Sequence, residues 1–274
     1  MKKTIKIDFI NFWPGYNKTS NYFYDLLKEE FNVEISNTPD YLFYSVFGQD
    51  HKNYRCKKIF YTGENIPVNF SECDYAFSFE PIKDNNYRLP HYLLYDGYYD
   101  LVNKKVDDSL VNRKFCSFVA SNPNCEKRNS FVRELSKYKK VDCGGSVYNN
   151  IGYKVPDKIK FQSEYKFSIA FENEAYRPGH EWYVTEKLFE GMKSNTIPIY
   201  YGGSKVGLEF NTKSFINCHD YNSFDDVIDR IIELDKNDDK YLEMLKEPWL
   251  PGKNKIPKDN KIENIKKFLY KIFE

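Results

Sequence analysis

Within the stretch Tyr165–Gly203, four residues of different chemical type fall close together: Asn173, Tyr183, Glu186 and Lys187. The surrounding residues read as a strand, a polar loop, a short helix, a second strand and a glycine turn. A carboxylate and an ammonium at a helix start, between two apolar strands, suit a ligand that combines phosphate with sugar. Free backbone N–H groups there favour anions, and hydroxyls need charged or polar partners. Each residue also has a plain reading. Lys187 could be a solvated surface lysine, although a cation near a helix N-terminus is mildly disfavoured. Glu186 could be a first-turn acid stabilised by the helix dipole, Tyr183 a packed aromatic, and Asn173 a turn residue.

Two further positions have a chemical reading. Arg128 follows the turn Ser121-Asn122-Pro123 at the start of a predicted helix, and a guanidinium there suits bidentate phosphate binding. Its neighbours Lys127 and Arg133 offer the same charge. Glu64 follows the end of a predicted strand, where open α/β sheets present ligands. A carboxylate in that place could act as a general base if position and burial raised its pKa. A loop glutamate beside a glycine turn is the plainer reading. Glu80, after the strand Tyr75–Phe79, is a rival base, and Glu72 and Asp74 are weaker ones.

Alternating strand and helix signals must position these groups. Ile5, Ile7 and Phe9 alternate with polar residues in a first strand, and a helix is expected near Asn21–Phe31. Short strands follow at Val33–Ser36, Tyr41–Phe47, Lys58–Tyr61 and Tyr75–Phe79. After a polar stretch at Leu101–Arg113, a second series begins with a strand at Phe115–Ala120 and a helix at Asn129–Tyr138. Strands Phe167–Phe171, Thr196–Tyr201 and Ser214–Cys218 come next, then helices at Ser223–Leu234 and Lys240–Leu245. This order predicts parallel sheets flanked by helices. The domains expected are 1–112 and 113–274. The last segment, Asn260–Phe273, carries one apolar face and one lysine-rich face. It is expected to be a packed terminal helix, one that could bridge the two domains, in preference to a membrane-surface helix.

Composition narrows the classes. At 274 residues the chain can bury a sizeable core, and a net charge of +1 gives no overall field for nucleic acid. The first residues, MKKTIKIDFINF, read as a strand and not as a signal peptide, and no apolar run is long enough to cross a bilayer. The six cysteines form no C-x-x-C pair and are expected to be reduced in a cytoplasmic protein. There is no G-x-G-x-x-G, no P-loop and no H-E-x-x-H. The four histidines are scattered, and no D-x-D occurs, so a metal site is not expected and cationic side chains should neutralise any diphosphate.

Three segments together, FYTGEN (Phe60–Asn65), FVASNPNCEKRNSF (Phe118–Phe131) and FEN…YVTEK…TIPIYYG (Phe171–Gly202), resemble the α1,3-fucosyltransferases of glycosyltransferase family 10. The likeness is to the short bacterial type that modifies surface polysaccharide. It covers nearly the whole chain; the third segment is the most specific and the first the least. The resemblance implies a GT-B architecture of two Rossmann-like domains facing each other. The N-terminal domain would take the acceptor glycan and the C-terminal domain GDP-fucose, with inversion at the anomeric carbon. It implies that Arg128 and Lys187 contact the donor diphosphate and that Glu186 accepts ribose hydroxyls. It further implies that Asn173 and Tyr183 touch the donor and that Glu64 deprotonates the acceptor hydroxyl, the 3-hydroxyl of an N-acetylglucosamine or glucose unit. No cofactor is expected, and at most peripheral membrane contact.

The chain departs from the family between Asn173 and Tyr183, where the loop EAYRPGHEW is longer than in short bacterial relatives. That places the role of Asn173 in question. Arg177, His180 and Trp182 in this loop could reach a substrate or simply cap the site. The heptad-like tail repeats and basic membrane-binding end of some relatives are missing, so dimerisation through such a tail is not expected. The alternatives are a transferase of the same fold using another GDP-sugar, or a non-catalytic carbohydrate-binding protein with an aromatic cleft. A lectin has no need of a diphosphate clamp.

Overall fold

The structure, a computed structural model, describes residues 2–173 and 179–274. The chain forms two compact units, residues 1–94 with 258–274, and residues 95–257. Each is built around its own parallel sheet.

In the first unit, β1 (Thr4–Ile10), β2 (Asn32–Ile35), β3 (Tyr41–Tyr44), β4 (Lys57–Tyr61), β5 (Tyr75–Ser78) and β6 (Asn86–Arg88) lie in the order β2-β1-β3-β4-β5-β6. Helix α1 (Tyr22–Glu30) crosses from β1 to β2. Its first turn is closed by Asn21, whose side chain accepts the Tyr24 N–H at 3.0 Å. The core is aromatic: Phe9 stacks on Phe43 at 4.9 Å, and Phe23 packs on Phe43, Tyr61 and Phe77. Each such ring contributes about 1.5–3 kcal/mol by leaving water.

The terminal helix Ile262–Lys271 belongs to this unit and not to the second. Its Ile265 and Leu269 are buried, the Tyr270 hydroxyl donates to the Leu26 carbonyl at 2.9 Å, and Phe273 packs on Tyr41. The packed-helix expectation therefore holds. Grouping this segment with residues 113–257 does not, because the contacts its apolar face makes are with α1 and the first sheet.

In the second unit, β7 (Lys114–Phe118), α2 (Glu126–Tyr138), β8 (Val141–Cys143), α3 (Lys158–Gln162), β9 (Tyr165–Phe171), α4 (Glu186–Lys193), β10 (Ile197–Tyr201) and β11 (Ile216–Asn217) follow in turn. Helices α5 (Phe224–Lys236) and α6 (Asp238–Lys246) complete it. The sheet order is β11-β10-β9-β7-β8. All seven residues of the central strand β9 are buried, as a parallel strand covered on both faces requires. Helix α4 lies close against it: a Cβ on Gly191 would fall 2.6 Å from Ser168 Oγ.

The boundary also lies earlier than residue 112. The polar stretch 101–113 reads as a linker, yet Leu101 is buried and the Lys104 ammonium sits 3.1 Å from the centre of the Trp249 ring. Those contacts assign it to the second unit. The strands β6 and β8 and helix α3 are too short to stand out in the sequence pattern.

Both sheets share one order. Numbered from its own first strand, each runs 2-1-3-4-5, with a sixth strand added in the first unit. Chain direction across the sheet reverses between β1 and β3 in the first unit and between β7 and β9 in the second. The crevice outside the carboxyl ends of those two strands is where such sheets bind ligands.

Candidate active site

At the β7/β9 reversal lies a cavity of about 290 Å³. The residues following β7, the end of β9, the first turn of α2 and the first turn of α4 line it, with Arg128, Asn173, Glu186 and Lys187 among them. Phe118, Ile169 and Phe171 supply an apolar floor. Local sequence explains how the chain comes so close. Gly145 lies against the loop after β7, where a Cβ would fall 2.1 Å from the Ala120 carbonyl oxygen. Asn129 Nδ2 donates to the Pro123 carbonyl at 2.7 Å and ties the turn to α2.

Helix α2 starts at Glu126, earlier than the sequence pattern indicates, and so places Arg128 in its first turn. Arg128 is 1% exposed. Its Nη1 donates to Asn173 Oδ1 at 2.6 Å and its Nη2 to the Asn122 carbonyl. Its Nε is buried and has no hydrogen-bond partner among the described residues. No carboxylate among them forms an ion pair with it. Burial lowers the pKa of the guanidinium, with Cys125 and Glu172 only partly opposing that effect. The group still carries its charge, so it is a desolvated cation without a bound counter-ion. Lys127 and Arg133 differ: Lys127 is exposed beside the Tyr201 hydroxyl, and Arg133 pairs with Glu126.

Lys187 sits in the opposite electrostatic state. Its ammonium is 3.0 Å from Glu172 Oε2, 3.2 Å from Glu186 Oε1 and 2.9 Å from Thr185 Oγ1. Burial opposes the charge, but Glu172 first and then Glu186 outweigh it, and the pKa is raised. Lys187 is a fixed cation whose charge is already matched.

Glu172 was missed in the sequence. It is fully buried at the end of β9 and binds the start of α4, taking the Thr185 N–H at 2.7 Å and the Thr185 hydroxyl at 2.7 and 2.9 Å. Thr185 is the N-cap of α4 but makes no side-chain cap bond, because its hydroxyl is turned to Glu172. The signal was present: an acid directly following a largely apolar strand needs a partner if it is buried. Gly202 makes room for it, since a Cβ there would lie 2.6 Å from Glu172 Cγ.

Tyr183 is placed differently from Asn173, Glu186 and Lys187. It is 5% exposed and does not line the cavity; its N–H bonds to the His180 carbonyl at 3.0 Å and its carbonyl accepts from Gly203 at 3.0 Å. It shores up the turn before α4. His180 and Trp182 are half-buried, while Arg177 lies outside the described residues.

Glu64 and Glu80 belong to the first unit, where they follow the carboxyl ends of the neighbouring strands β4 and β5. Glu64 is exposed, against the expectation of burial. Its loop is set by Thr62, whose Oγ1 accepts the Glu64 N–H at 2.9 Å. Glu80 is half-buried, and its carbonyl accepts from Asn86 Nδ2 at 3.2 Å. Glu72 does not suit a base, because hydrogen bonds from His51 and then Lys52 lower its pKa. Among the described residues no group of three His, Cys, Asp or Glu side chains could hold a metal ion.

Both parts of the chain match known proteins. Residues 7–95 match the α-(1,3)-fucosyltransferase FucT N-terminal domain, and residues 110–251 match the glycosyltransferase family 10 (fucosyltransferase) C-terminal domain. The chain is 34% identical over 294 aligned residues to the α-(1,3)-fucosyltransferase FucT of Helicobacter pylori, covering 89% of this chain and 60% of that protein. It thus spans less than two thirds of that relative's length. Human 4-galactosyl-N-acetylglucosaminide 3-α-L-fucosyltransferase 9 is 34% identical over 134 residues, which are 47% of this chain and 35% of the human one. A crystal structure of an α1,3-fucosyltransferase superposes with a TM-score of 0.85 at 31% identity, covering 99% of this chain and 90% of the other. A structure of an α1,3-fucosyltransferase with GDP-fucose gives 0.83 at 31% identity, covering 100% and 91%.

Proposed function

The chain belongs to glycosyltransferase family 10, and on that premise we propose that it transfers fucose from GDP-fucose to a hydroxyl of a glycan acceptor. The observation that carries the reading is Arg128: a buried guanidinium with an unpartnered Nε and no ion pair among the described residues, lining a cavity at a strand-order reversal. A diphosphate supplies the missing counter-charge and can accept from more than one N–H at once.

The donor lies with its diphosphate against Arg128 and the start of α4. Lys187, held by Glu172, presents a fixed positive end without having to reorganise during the reaction. Glu186, beside Lys187, meets the ribose hydroxyls. Glu64 takes the proton from the acceptor hydroxyl, the 3-hydroxyl of an N-acetylglucosamine or glucose unit. That oxygen attacks C1 of fucose on the face opposite the departing GDP, so the anomeric centre inverts. As the C–O bond breaks, negative charge grows on the diphosphate, where Arg128 and Lys187 stabilise it. An exposed carboxylate suffices, because the hydroxyl becomes acidic only as its new bond forms.

No divalent ion is required on this reading, since the side-chain cations take its place. Among the described residues no helix is long and apolar enough to cross a membrane. The protein works in the cytoplasm, with at most peripheral membrane contact. The test is transfer to lactose and N-acetyllactosamine from GDP-fucose, with GDP-mannose and a UDP-sugar alongside. Transfer from GDP-fucose, with metal chelated, is the expected result. A preference for a UDP-sugar, or binding of glycan with no nucleotide-sugar turnover, overturns it.

A further inference from the structure

We infer that the cavity where residues 97–105 meet the last turn of α4 is a modification site: carbon dioxide adds to the Lys104 amine, and Lys105 and Lys193 hold the carbamate that forms. This site stands independently of the transfer reading.

The cavity, of about 220 Å³, lies within the second unit, and Lys104, Lys105, Lys193, Asp100 and Trp249 are among its lining residues. It is distinct from the cavity at the β7/β9 reversal. Helix α4 borders that one with Glu186 and Lys187, and this one with Met192 and Lys193.

Local structure fixes the amine. The carbonyls on either side of Lys104 are both held: Asn254 Nδ2 donates to that of Val102 at 2.9 Å and Asn195 Nδ2 to that of Lys105 at 2.7 Å. Lys104 Nζ lies 3.1 Å from the centre of the Trp249 ring, a residue only 2% exposed, and donates to the Glu247 carbonyl at 2.5 Å. The Glu247 carboxylate accepts from Asn211 Nδ2 at 3.1 Å, and Lys104 forms no ion pair among the described residues. Burial without a paired carboxylate disfavours the ammonium and pushes the Lys104 pKa down to about 6, against a weaker pull from Glu247. At neutral pH the nitrogen therefore keeps its lone pair.

That lone pair attacks the carbon of carbon dioxide. One C=O π pair moves onto oxygen, and the nitrogen loses a proton to solvent, so that Lys–NH2 and CO2 give Lys–NH–COO⁻ and H⁺. An ammonium cannot react in this way. The product is an anion, and the cavity supplies cations for it. Lys105 is exposed, and Lys193 donates to the Asp96 carbonyl at 2.6 Å; neither forms an ion pair among the described residues. Gly97 lets Lys193 approach, since a Cβ there would fall 2.5 Å from Lys193 Nζ. Asp100 is the one acid of the lining, so Lys105 and Lys193 outnumber it. Ammonium–carboxylate hydrogen bonds are the strong, charge-assisted kind.

The test treats the protein with triethyloxonium in neutral buffer containing carbon dioxide and bicarbonate. This reagent alkylates a carbamate to a stable ethyl carbamate, which tandem mass spectrometry locates. Lys104 should carry about tenfold more adduct, or above, than Lys105 or Lys193, because only a neutral amine reacts. With 13C-labelled bicarbonate, wild type should show a carbamate resonance that Lys104→Met lacks. Lys105→Gln/Lys193→Gln should lower the Lys104 yield severalfold. The comparison of three lysines within wild type stands whether or not a variant folds. No adduct at Lys104, or equal adduct on all three lysines, overturns the site, as does a folded double variant with the wild-type yield.

Discussion

Arg128→Met separates what the buried guanidinium does for the fold from what it does for the ligand. Without nucleotide, the change removes two hydrogen bonds, to Asn173 Oδ1 and the Asn122 carbonyl. Leaving those acceptors unpaired costs about 1–3 kcal/mol each. The change also removes a cation that burial disfavours and that no described carboxylate pairs with, a penalty of several kcal/mol in the native state. The two effects oppose, and the nucleotide-free variant should melt within a few degrees of wild type. With GDP at a hundred times the wild-type Kd, mass action stabilises wild type by about 2.7 kcal/mol, or roughly 5–10 °C in a chain of this size. Losing two charge-assisted bonds to the diphosphate costs about 3 kcal/mol, which weakens GDP binding roughly a hundredfold. At the same GDP concentration the variant then gains only about 0.4 kcal/mol, roughly 1 °C. Differential scanning fluorimetry with a GDP titration measures all four melting points. A variant with the full wild-type shift refutes the assignment of Arg128 to the diphosphate. A variant that melts far below wild type without GDP refutes the claim that this cation is unneutralised.

Other substitutions test the remaining parts. Lys187→Ala should lower kcat/KM about 10²–10³-fold by steady-state kinetics, and should also lower the melting point without nucleotide, because buried Glu172 loses a partner. Glu64→Gln should abolish transfer while GDP still raises the melting point; if Glu80→Gln shows that pattern and Glu64→Gln does not, the base is Glu80. Lys104→Met probes pH. Burial lowers the Lys104 pKa to about 6 from the 10.5 usual for a lysine, and Glu247 offsets little of this. Between those values the unfolded chain binds the proton more readily than the folded one, so wild-type stability rises as pH climbs from about 6, and the penalty is largest below it. The Trp249 face under the ammonium returns part of that cost, about 2 kcal/mol. The variant should therefore melt above wild type at pH 6 and closer to it at pH 9; a gap that widens with pH contradicts the burial argument.

The arrangement of the candidate site was legible where a residue's type and its place on an element agreed. Arg128 after the S-N-P turn and Lys187 at a helix start could be located because turn and helix signals are local. What local signals cannot show is which cation is already neutralised. Read from spacing, Arg128 and Lys187 are equals. In the structure Glu172 reaches Lys187 from the end of a strand 15 residues earlier, while among the described residues Arg128 has amide and carbonyl partners and no carboxylate. On the proposed reading that difference sets a division of labour: a diphosphate would supply the counter-charge Arg128 lacks, whereas the protein already fixes the position of Lys187. The same limit explains the misplaced boundary. Lys104 and Lys105 make residues 101–113 look like a linker, but a lysine stem can lie on an aromatic ring, and whether Trp249 is there to receive it is a fact about position 249 and not about position 104. Tyr183 makes the converse point. Its motif position marks it for the ligand, yet its ring is buried and its backbone holds the turn before α4. A motif can thus persist because it shapes the loop that carries Glu186 and Lys187, without the tyrosine touching the donor. Tyr183→Phe should then leave GDP affinity within about twofold of wild type, by calorimetric titration, whereas a tenfold loss would assign the hydroxyl to the ligand and return Tyr183 to the site.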